Sequence, residues 1–201
     1  MPEYKLTYFN VRGRAELIRL LFAAGEIAYE DVRIEWDKWP ELKPNTPMGQ
    51  IPTLEVDGQV ICQSMAIARF VAGKAGLLGK TNMDQARADM LLDGGMDVGK
   101  LFTDMVMEKD ASKKAEKKKE FGEKHLPPFL ALYEGFAGDN GHFVGDSLTW
   151  SDIGFFNMMD FITAEYPGAL DGYCKLNKVI DNVKSNPGVT KWLKERPVTD
   201  R

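Results

Sequence analysis

Two side chains near the start of the sequence could stabilise an anion. Tyr8 stands near the end of the apolar segment YKLTYF, and Arg14 follows it after a short polar break. A tyrosine hydroxyl can donate a hydrogen bond and an arginine is permanently charged, so the pair could hold a negatively charged atom. A tyrosine in such a segment is also typical of a packed aromatic in a β-strand. The spacing alone leaves both interpretations open.

Further polar groups lie in and after a proline-containing loop. Trp39 and Lys43 offer an indole donor and a cation, although a loop tryptophan is also typical of an anchor over the core. Pro52 directly precedes strand-like residues, so it either begins an edge strand or holds a cis turn that exposes neighbouring backbone groups. Ser64, after Gln63, begins a helical pattern, and it either caps that helix or helps its free N–H groups to bind a carboxylate.

The composition excludes several classes of function. The chain has 201 residues, with 26 Lys and Arg against 30 Asp and Glu, so we expect no binding to nucleic acid or to an anionic membrane. No apolar run is long enough to span a membrane and the first residues contain no signal-peptide core, which predicts a cytoplasmic protein. The two cysteines and two histidines lack partners at metal-ligand spacing, so no metal is expected.

The elements that must position these side chains alternate in the first part of the chain. Strand formers at residues 4–9 and 28–34 flank a helical pattern in RAELIRLLFAAG. Residues 53–56 and 59–62, joined by Asp57-Gly58, form a hairpin pattern, because that dipeptide favours the positive φ angles of a two-residue turn. A helix follows from Ser64. The predicted order is β-α-β-loop-β-β-α.

The second part of the chain has only helical patterns. They cover residues 83–107, 112–136, 150–163, 173–184 and 188–194. A linker containing Gly76 and Gly79 precedes them. Thr149 and Asp152 have the spacing of an N-terminal capping box, which indicates a helix start and a role in stability rather than chemistry.

Five runs of this sequence, in order and at matching separations, resemble the glutathione transferases, and most closely their sigma class. The runs are YKLTYFNVRGRAELIRLLFAAG, DKWPELK, GQIPTLEVDGQVICQSMAIARFVA, SLTWSDI and KWLKERP. The resemblance covers nearly the whole chain. It implies an α/β thioredoxin-like domain (β-α-β-α-β-β-α) over residues 1–76 that binds glutathione, and an all-α domain over 83–201 that contributes the electrophile pocket. It also implies a homodimer.

The same resemblance implies a role for each matching residue. Tyr8 corresponds to the catalytic tyrosine that donates to the glutathione sulfur, and Arg14 to an arginine that adds positive potential nearby. Pro52 corresponds to a cis proline. The remaining residues implied to bind glutathione are Trp39, Lys43, Gly49, Gln50, Ile51, Gln63, Ser64 and Asp97 of the partner subunit.

The activity implied is transfer of glutathione to small hydrophobic electrophiles, as in detoxification, with glutathione as co-substrate and no metal required. The implied electrophile pocket is formed by Phe9, Leu101, Phe102 and Met105. Two alternatives stay open, a prostaglandin-type isomerase and a non-catalytic crystallin-like relative.

The prostaglandin D synthases of the class have a pocket tryptophan in this long helix, whereas here Leu101, Phe102 and Asp104 occupy that stretch and no tryptophan lies between Trp39 and Trp150. Met96 stands where one of their metal-binding aspartates would be. Both departures argue against isomerisation and metal activation. The sequence does not predict the natural electrophile. It also does not predict why glycines surround Asp97, at Gly94, Gly95 and Gly99.

Overall fold

The computed structural model describes residues 3–199. It divides these residues into two compact units: residues 3–77 together with 185–199, and Leu78–Lys184 between them. The sequence predicted a helical domain over 83–201, but the residues from 185 belong to the first unit. The reason is that the last helix packs against the first helix of the chain.

The first unit has the predicted order β-α-β-α-β-β-α, followed by the last helix. Its strands are β1 (Tyr4–Phe9), β2 (Glu30–Ile34), β3 (Thr53–Val56) and β4 (Gln59–Cys62). Its helices are α1 (Glu16–Ala24), the short α2 (Trp39–Leu42), α3 (Ser64–Lys74) and α9 (Pro187–Glu195). The sheet order is β2-β1-β3-β4, with β1 parallel to β2 and antiparallel to β3, and β3 antiparallel to β4. The predicted α/β domain is confirmed.

The core of this unit forms between the sheet and two helices. α1 packs against α3 and α9. The apolar side chains that are completely buried there include Leu6, Leu20, Leu21, Leu54, Ile67 and Val71. In the predicted hairpin, Asp57 and Gly58 have φ angles of 49° and 82°, as a two-residue turn of this type requires.

The second unit is helical. Its elements are α4 (Asn82–Val106), α5 (Ala111–Glu120), a π-helical segment (Phe121–His125), α6 (Leu126–Phe136), α7 (Trp150–Glu165) and α8 (Cys174–Ser185). The sequence predicted one helix over 112–136, where the structure has α5, the π segment and α6. The chain stays helical throughout this stretch. Pro127 and Pro128, in the first turn of α6, account for the local change in hydrogen bonding, because neither has an N–H to donate. No helix among residues 3–199 is long and apolar enough to cross a membrane.

The capping box at the start of α7 is buried. Asp152 is 0% exposed, and its Oδ1 accepts from the backbone N–H of Phe143 at 2.8 Å. Its Oδ2 accepts from the backbone N–H and the hydroxyl of Thr149, at 2.7 and 2.9 Å. Both carboxylate oxygens are therefore occupied by donors, and the box joins the preceding loop to α7.

We expect Asp152→Asn to lower the free energy of unfolding by about 2–3 kcal/mol, because the new NH2 group must face an N–H donor in a buried place. Urea denaturation measures the loss. Asp84→Asn is a matched control: Asp84 forms a capping box with Thr81 at the exposed start of α4, and its replacement should cost about 1 kcal/mol or less. Equal losses of unfolding free energy in the two variants would show that burial does not increase the contribution of a capping box to stability.

Candidate functional site

The hydroxyl of Tyr8 is held at the turn between β1 and α1. The Tyr8 side chain is 9% exposed, and its oxygen accepts the backbone N–H of Arg14 at 3.3 Å. An oxygen that accepts in this way still has its own hydrogen to donate. Arg14 is the middle residue of the short turn Gly13–Ala15 that leads into α1, so the N–H that meets the phenol belongs to the start of a helix. The side chain of Arg14 is exposed.

Gly13 makes this approach possible, and its role was not predicted from the sequence. Its φ of +40° lies in the left-handed region that favours glycine. A Cβ at this position would lie 3.0 Å from both Cε1 and the hydroxyl oxygen of Tyr8. The backbone of the turn therefore packs directly on the phenol. The sequence feature that could have predicted this contact is a glycine between two arginines, just after a strand.

The sheet register places the other predicted residues beside Tyr8. Thr7 of β1 pairs with Thr53 of β3, and Thr53 pairs with Cys62 of β4. Pro52 and Gln63 each lie one residue beyond these pairs, and Tyr8 follows Thr7. We call this end of the sheet, where β1, β2 and β4 finish and β3 begins, the site end.

The segment before β3 reaches the site end through a cis peptide bond between Ile51 and Pro52, as the resemblance implied. Pro52 is buried and Ile51 is half-buried. Gln50 is exposed, and its Oε1 accepts from Nε2 of Gln63 at 3.1 Å. This hydrogen bond connects the segment to the start of α3.

Gln63 has a φ of +72°, which is unusual for a residue other than glycine. Residues in this region store backbone strain, and such residues are concentrated at functional sites. Ser64 is the first residue of α3, so it lies at the positive end of the helix dipole. The unpaired N–H groups of a helix start can bind a carboxylate.

Aromatic rings cover the site end on the side of β2. Phe9 stacks on Trp36 with ring centroids 3.6 Å apart, and Trp39 meets it edge-on at 5.9 Å. Phe9 is 8% exposed, so it presents little surface to a ligand. Lys43 is exposed and lies next to Gly49, where a Cβ would be 3.5 Å from the lysine Cε.

The remaining predicted residues belong to the second unit, on α4. Asp97 is exposed, and α4 continues without interruption past the nearby glycines. A Cβ on Gly94 or Gly95 would lie 3.3 or 3.5 Å from the hydroxyl of Tyr133, so these glycines make room for that side chain. Burial and, to a smaller extent, the charge of Asp97 raise the pKa of Tyr133 to about 12.

The three predicted pocket residues of α4 have different surroundings. Leu101 is exposed and lines a cleft of about 540 Å³, whose other walls are Asp104, Met107, Glu108, Lys109, Lys117, Glu120, Phe121 and His125. Phe102 packs on Phe121 with centroids 5.6 Å apart. Met105 is 1% exposed, and its sulfur accepts the Tyr166 hydroxyl at 3.1 Å. Met105 thus faces the interior of the unit.

Among residues 3–199, no group of three or more His, Cys, Asp or Glu side chains could hold a metal ion. The predicted lack of a metal requirement stays a prediction.

Two family models match the sequence. "Glutathione S-transferase, N-terminal domain" matches residues 4–73, and "Glutathione S-transferase, C-terminal domain" matches residues 96–196.

Three curated relatives illustrate the range of similar proteins. The chain is 42% identical to a hematopoietic prostaglandin D synthase from Gallus gallus, over 99% of both chains. It is 38% identical to glutathione S-transferase 1 from Ascaris suum, over 99% of both, and 36% identical to S-crystallin SL11 from Nototodarus sloanii, over 98% of both.

Solved structures share the fold. Rat hPGDS complexed with a quinoline superposes with a TM-score of 0.91 at 36% identity, covering 99% of this chain and 100% of that one. A structure described as monomeric Na-GST-3 from Necator americanus has a TM-score of 0.85 at 35% identity, covering 99% of this chain and 100% of that one.

We expect Gly13→Ala to lower the free energy of unfolding by about 1–2 kcal/mol more than Gly58→Ala, because the new methyl group must displace the Tyr8 ring. Gly58 is a matched control, since its φ is +82° and nothing lies within 4 Å of its Cβ position. Both variants share the left-handed backbone strain. Denaturant unfolding measures the difference. Equal losses would show that the Tyr8 ring moves aside without lowering the free energy of unfolding.

Proposed function

The chain belongs to the glutathione S-transferase family and is a glutathione transferase, and from that premise we propose that Tyr8 is its catalytic residue. The reaction joins the sulfur of reduced glutathione to small hydrophobic electrophiles. The observation that carries the proposal is the placement of the Tyr8 hydroxyl, which accepts the Arg14 amide at 3.3 Å at the site end of the sheet.

The proposed role of Tyr8 is to donate a hydrogen bond to the glutathione sulfur. A donor to the charged form of an acid favours that form, so this bond lowers the pKa of the thiol. The thiolate is the nucleophile, and its larger fraction raises the rate of attack on the electrophile. The exposed guanidinium of Arg14 acts in the same direction by adding positive potential beside the sulfur.

The rest of the tripeptide has a proposed partner at each charged end. The backbone of Gly49, Gln50 and Ile51, next to the cis bond, pairs with the cysteinyl unit. Gln63 and Ser64, at the start of α3, hold the γ-glutamyl carboxylate, which the free N–H groups of that helix support. The donors proposed for the glycyl carboxylate are the indole of Trp39 and the exposed ammonium of Lys43.

Two further proposals concern partners. The family is typically dimeric, and we propose a homodimer in which Asp97 of the partner subunit binds the glutamyl amine of glutathione. Exposed apolar side chains on α4 support it: Met83, Met90 and Met96 are 62%, 52% and 51% exposed. We propose that the Leu101 face of α4 binds the electrophile, and the place of Phe9 in that pocket stays a prediction. The predicted cytoplasmic location stays a prediction.

Prostaglandin isomerisation is the second candidate, since the chain is similar to curated prostaglandin D synthases. In the stretch of α4 where that group has a pocket tryptophan, this chain has Leu101, Phe102 and Asp104, and Asp104 lines the same cleft as Glu108 and Lys117. The missing tryptophan and the charged side chains among those walls do not favour a long apolar substrate. A non-catalytic, crystallin-like role is opposed by the complete set of polar residues at the site end.

We therefore expect the purified protein to conjugate glutathione to 1-chloro-2,4-dinitrobenzene at a rate well above that of the uncatalysed reaction. It should form no prostaglandin D from prostaglandin H in the presence of glutathione. Absorbance of the conjugate measures the first activity, and chromatography of the products measures the second. Isomerisation without conjugation would reverse the order of the two candidates, and retention on immobilised glutathione with neither activity would favour the crystallin-like role.

Tyr8→Phe keeps the ring and removes the donor. We expect kcat/KM for conjugation near neutral pH to fall about 10- to 100-fold, because the thiol of bound glutathione returns toward its free pKa and each unit costs a factor of ten in thiolate. The pKa of the bound thiol is measured directly by following the ultraviolet absorbance of the thiolate in the glutathione complex as the pH is raised.

Tyr4→Phe is the matched control. Tyr4 lies on the same strand and the same face as Tyr8, at the far end, and is 6% exposed. Its replacement should leave the thiol titration of the complex unchanged. The proposed role of Tyr8 would fail if bound glutathione ionised in Tyr8→Phe as easily as in the wild type.

A further inference from the structure

A buried ionic cluster lies behind the turn that holds Tyr8, and the proposed function gives it no role. Arg19 on α1 is 0% exposed, with its Nε 3.1 Å from Oδ1 of Asp31 and its Nη1 3.6 Å from Oε2 of Glu16. Glu16 is 1% exposed, and Asp31 also binds Nε of Arg33 at 2.9 Å. Buried charges are costly unless they are paired and hydrogen-bonded, so this arrangement fixes the guanidinium closely.

The same guanidinium holds the backbone of the turn. Nη1 of Arg19 donates to the carbonyl oxygens of Val11 at 2.8 Å and Arg12 at 3.4 Å. Gly13 and Arg14 follow directly, and the Arg14 N–H is the donor to the Tyr8 hydroxyl. Arg19 therefore anchors the stretch of backbone that leads into the contact with the phenol.

Glu16 connects this anchor to the C-terminal helix. Its Oε1 accepts from Nε1 of Trp192 on α9 and from Nη1 of Arg196, both at 3.0 Å. The carboxylate is thus held by donors from the end of the chain while its other oxygen faces Arg19. Elements far apart in the sequence fix the orientation of one buried guanidinium.

We propose that Arg19 is a positioning residue for the transferase reaction, an inference that rests on the role proposed for Tyr8. Arg19 acts through the turn: it holds the Val11 and Arg12 carbonyl groups so that the Arg14 amide meets the phenolic oxygen, and the Tyr8 O–H is then directed at the sulfur. Hydrogen bonds weaken steeply with distance and angle, so a small displacement of the turn weakens the bond to the thiolate.

Arg19→Lys tests this, because lysine keeps the charge but cannot donate along the fixed directions of a guanidinium. For conjugation of 1-chloro-2,4-dinitrobenzene we expect kcat/KM to fall about tenfold, the size of effect that a slight misplacement of a reacting group produces. The midpoint of its pH profile should rise by about half a pH unit or more, because the thiolate is less stabilised. Assays are run well below the melting temperature of each variant.

Val71→Ala is the control for a loss of stability alone. Val71 is completely buried on α3 of the same unit and contributes no group to the ionic cluster. It should lower the melting temperature while the pH midpoint stays at the wild-type value. If Arg19→Lys likewise lowers only the melting temperature, with the wild-type kcat/KM and pH midpoint, Arg19 is merely structural and the proposal is overturned.

Glu16→Gln decides the question if Arg19→Lys does not fold. It keeps the shape of the side chain and an acceptor for Trp192, but removes the charge that faces Arg19. A raised pH midpoint supports the proposal and a wild-type profile overturns it. Tyr8→Phe, measured in parallel, separates the two proposals: a wild-type profile there defeats the role of Tyr8, whereas an impaired Tyr8→Phe beside a wild-type Arg19→Lys defeats only the positioning role.

Discussion

The hydrogen bond from the Arg14 amide to the Tyr8 hydroxyl is the contact on which the site depends. A phenol at the end of a strand can turn its O–H in several directions, and a donor to its oxygen restricts that choice. Three local features produce the contact: a strand that ends beyond Tyr8, a glycine without a Cβ at the turn, and a helix that starts directly afterwards. The contact needs all three features together.

The strand order then brings distant segments to this hydroxyl. β3 runs antiparallel to β1 and β4 antiparallel to β3, so the residue before β3 and the residue after β4 meet at the end where β1 finishes. The cis proline and the start of α3 are thus neighbours of Tyr8 because of the topology. Pro52 has no backbone N–H, so the donors here are the unpaired N–H groups at the start of α3, which suit a peptide ligand with a carboxylate.

Much of this could be predicted from the sequence because the signals are local. The Asp57-Gly58 turn, the start of α7 at Thr149 and the strand with Tyr8 each depend on a few adjacent residues. Arg19 and Glu16 could not be predicted in the same way. Charges three residues apart on a helix are typical of an exposed face. Here α9 covers that face. Trp192 and Arg196, which donate to Glu16, lie 176 and 180 positions away from it in the sequence. The same packing places the last residues in the first unit rather than in the helical domain.

Helix geometry places the three α4 residues predicted for the electrophile pocket on one side of the helix. Leu101 and Met105 are about one turn apart, and Phe102 points about 100° away from Leu101. Their surroundings nevertheless differ, since Leu101 is 41% exposed and Met105 is 1% exposed. Leu101 and Asp104 of α4, with Glu108 just beyond the end of that helix, line the cleft, whereas Met105 faces the interior. In the cleft the hydrogen bond from Lys117 lowers the pKa of Glu108 to about 2, so the carboxylate is charged at neutral pH. A molecule bound in this cleft would meet the apolar side chains of Leu101, Met107 and Phe121 beside these charged groups.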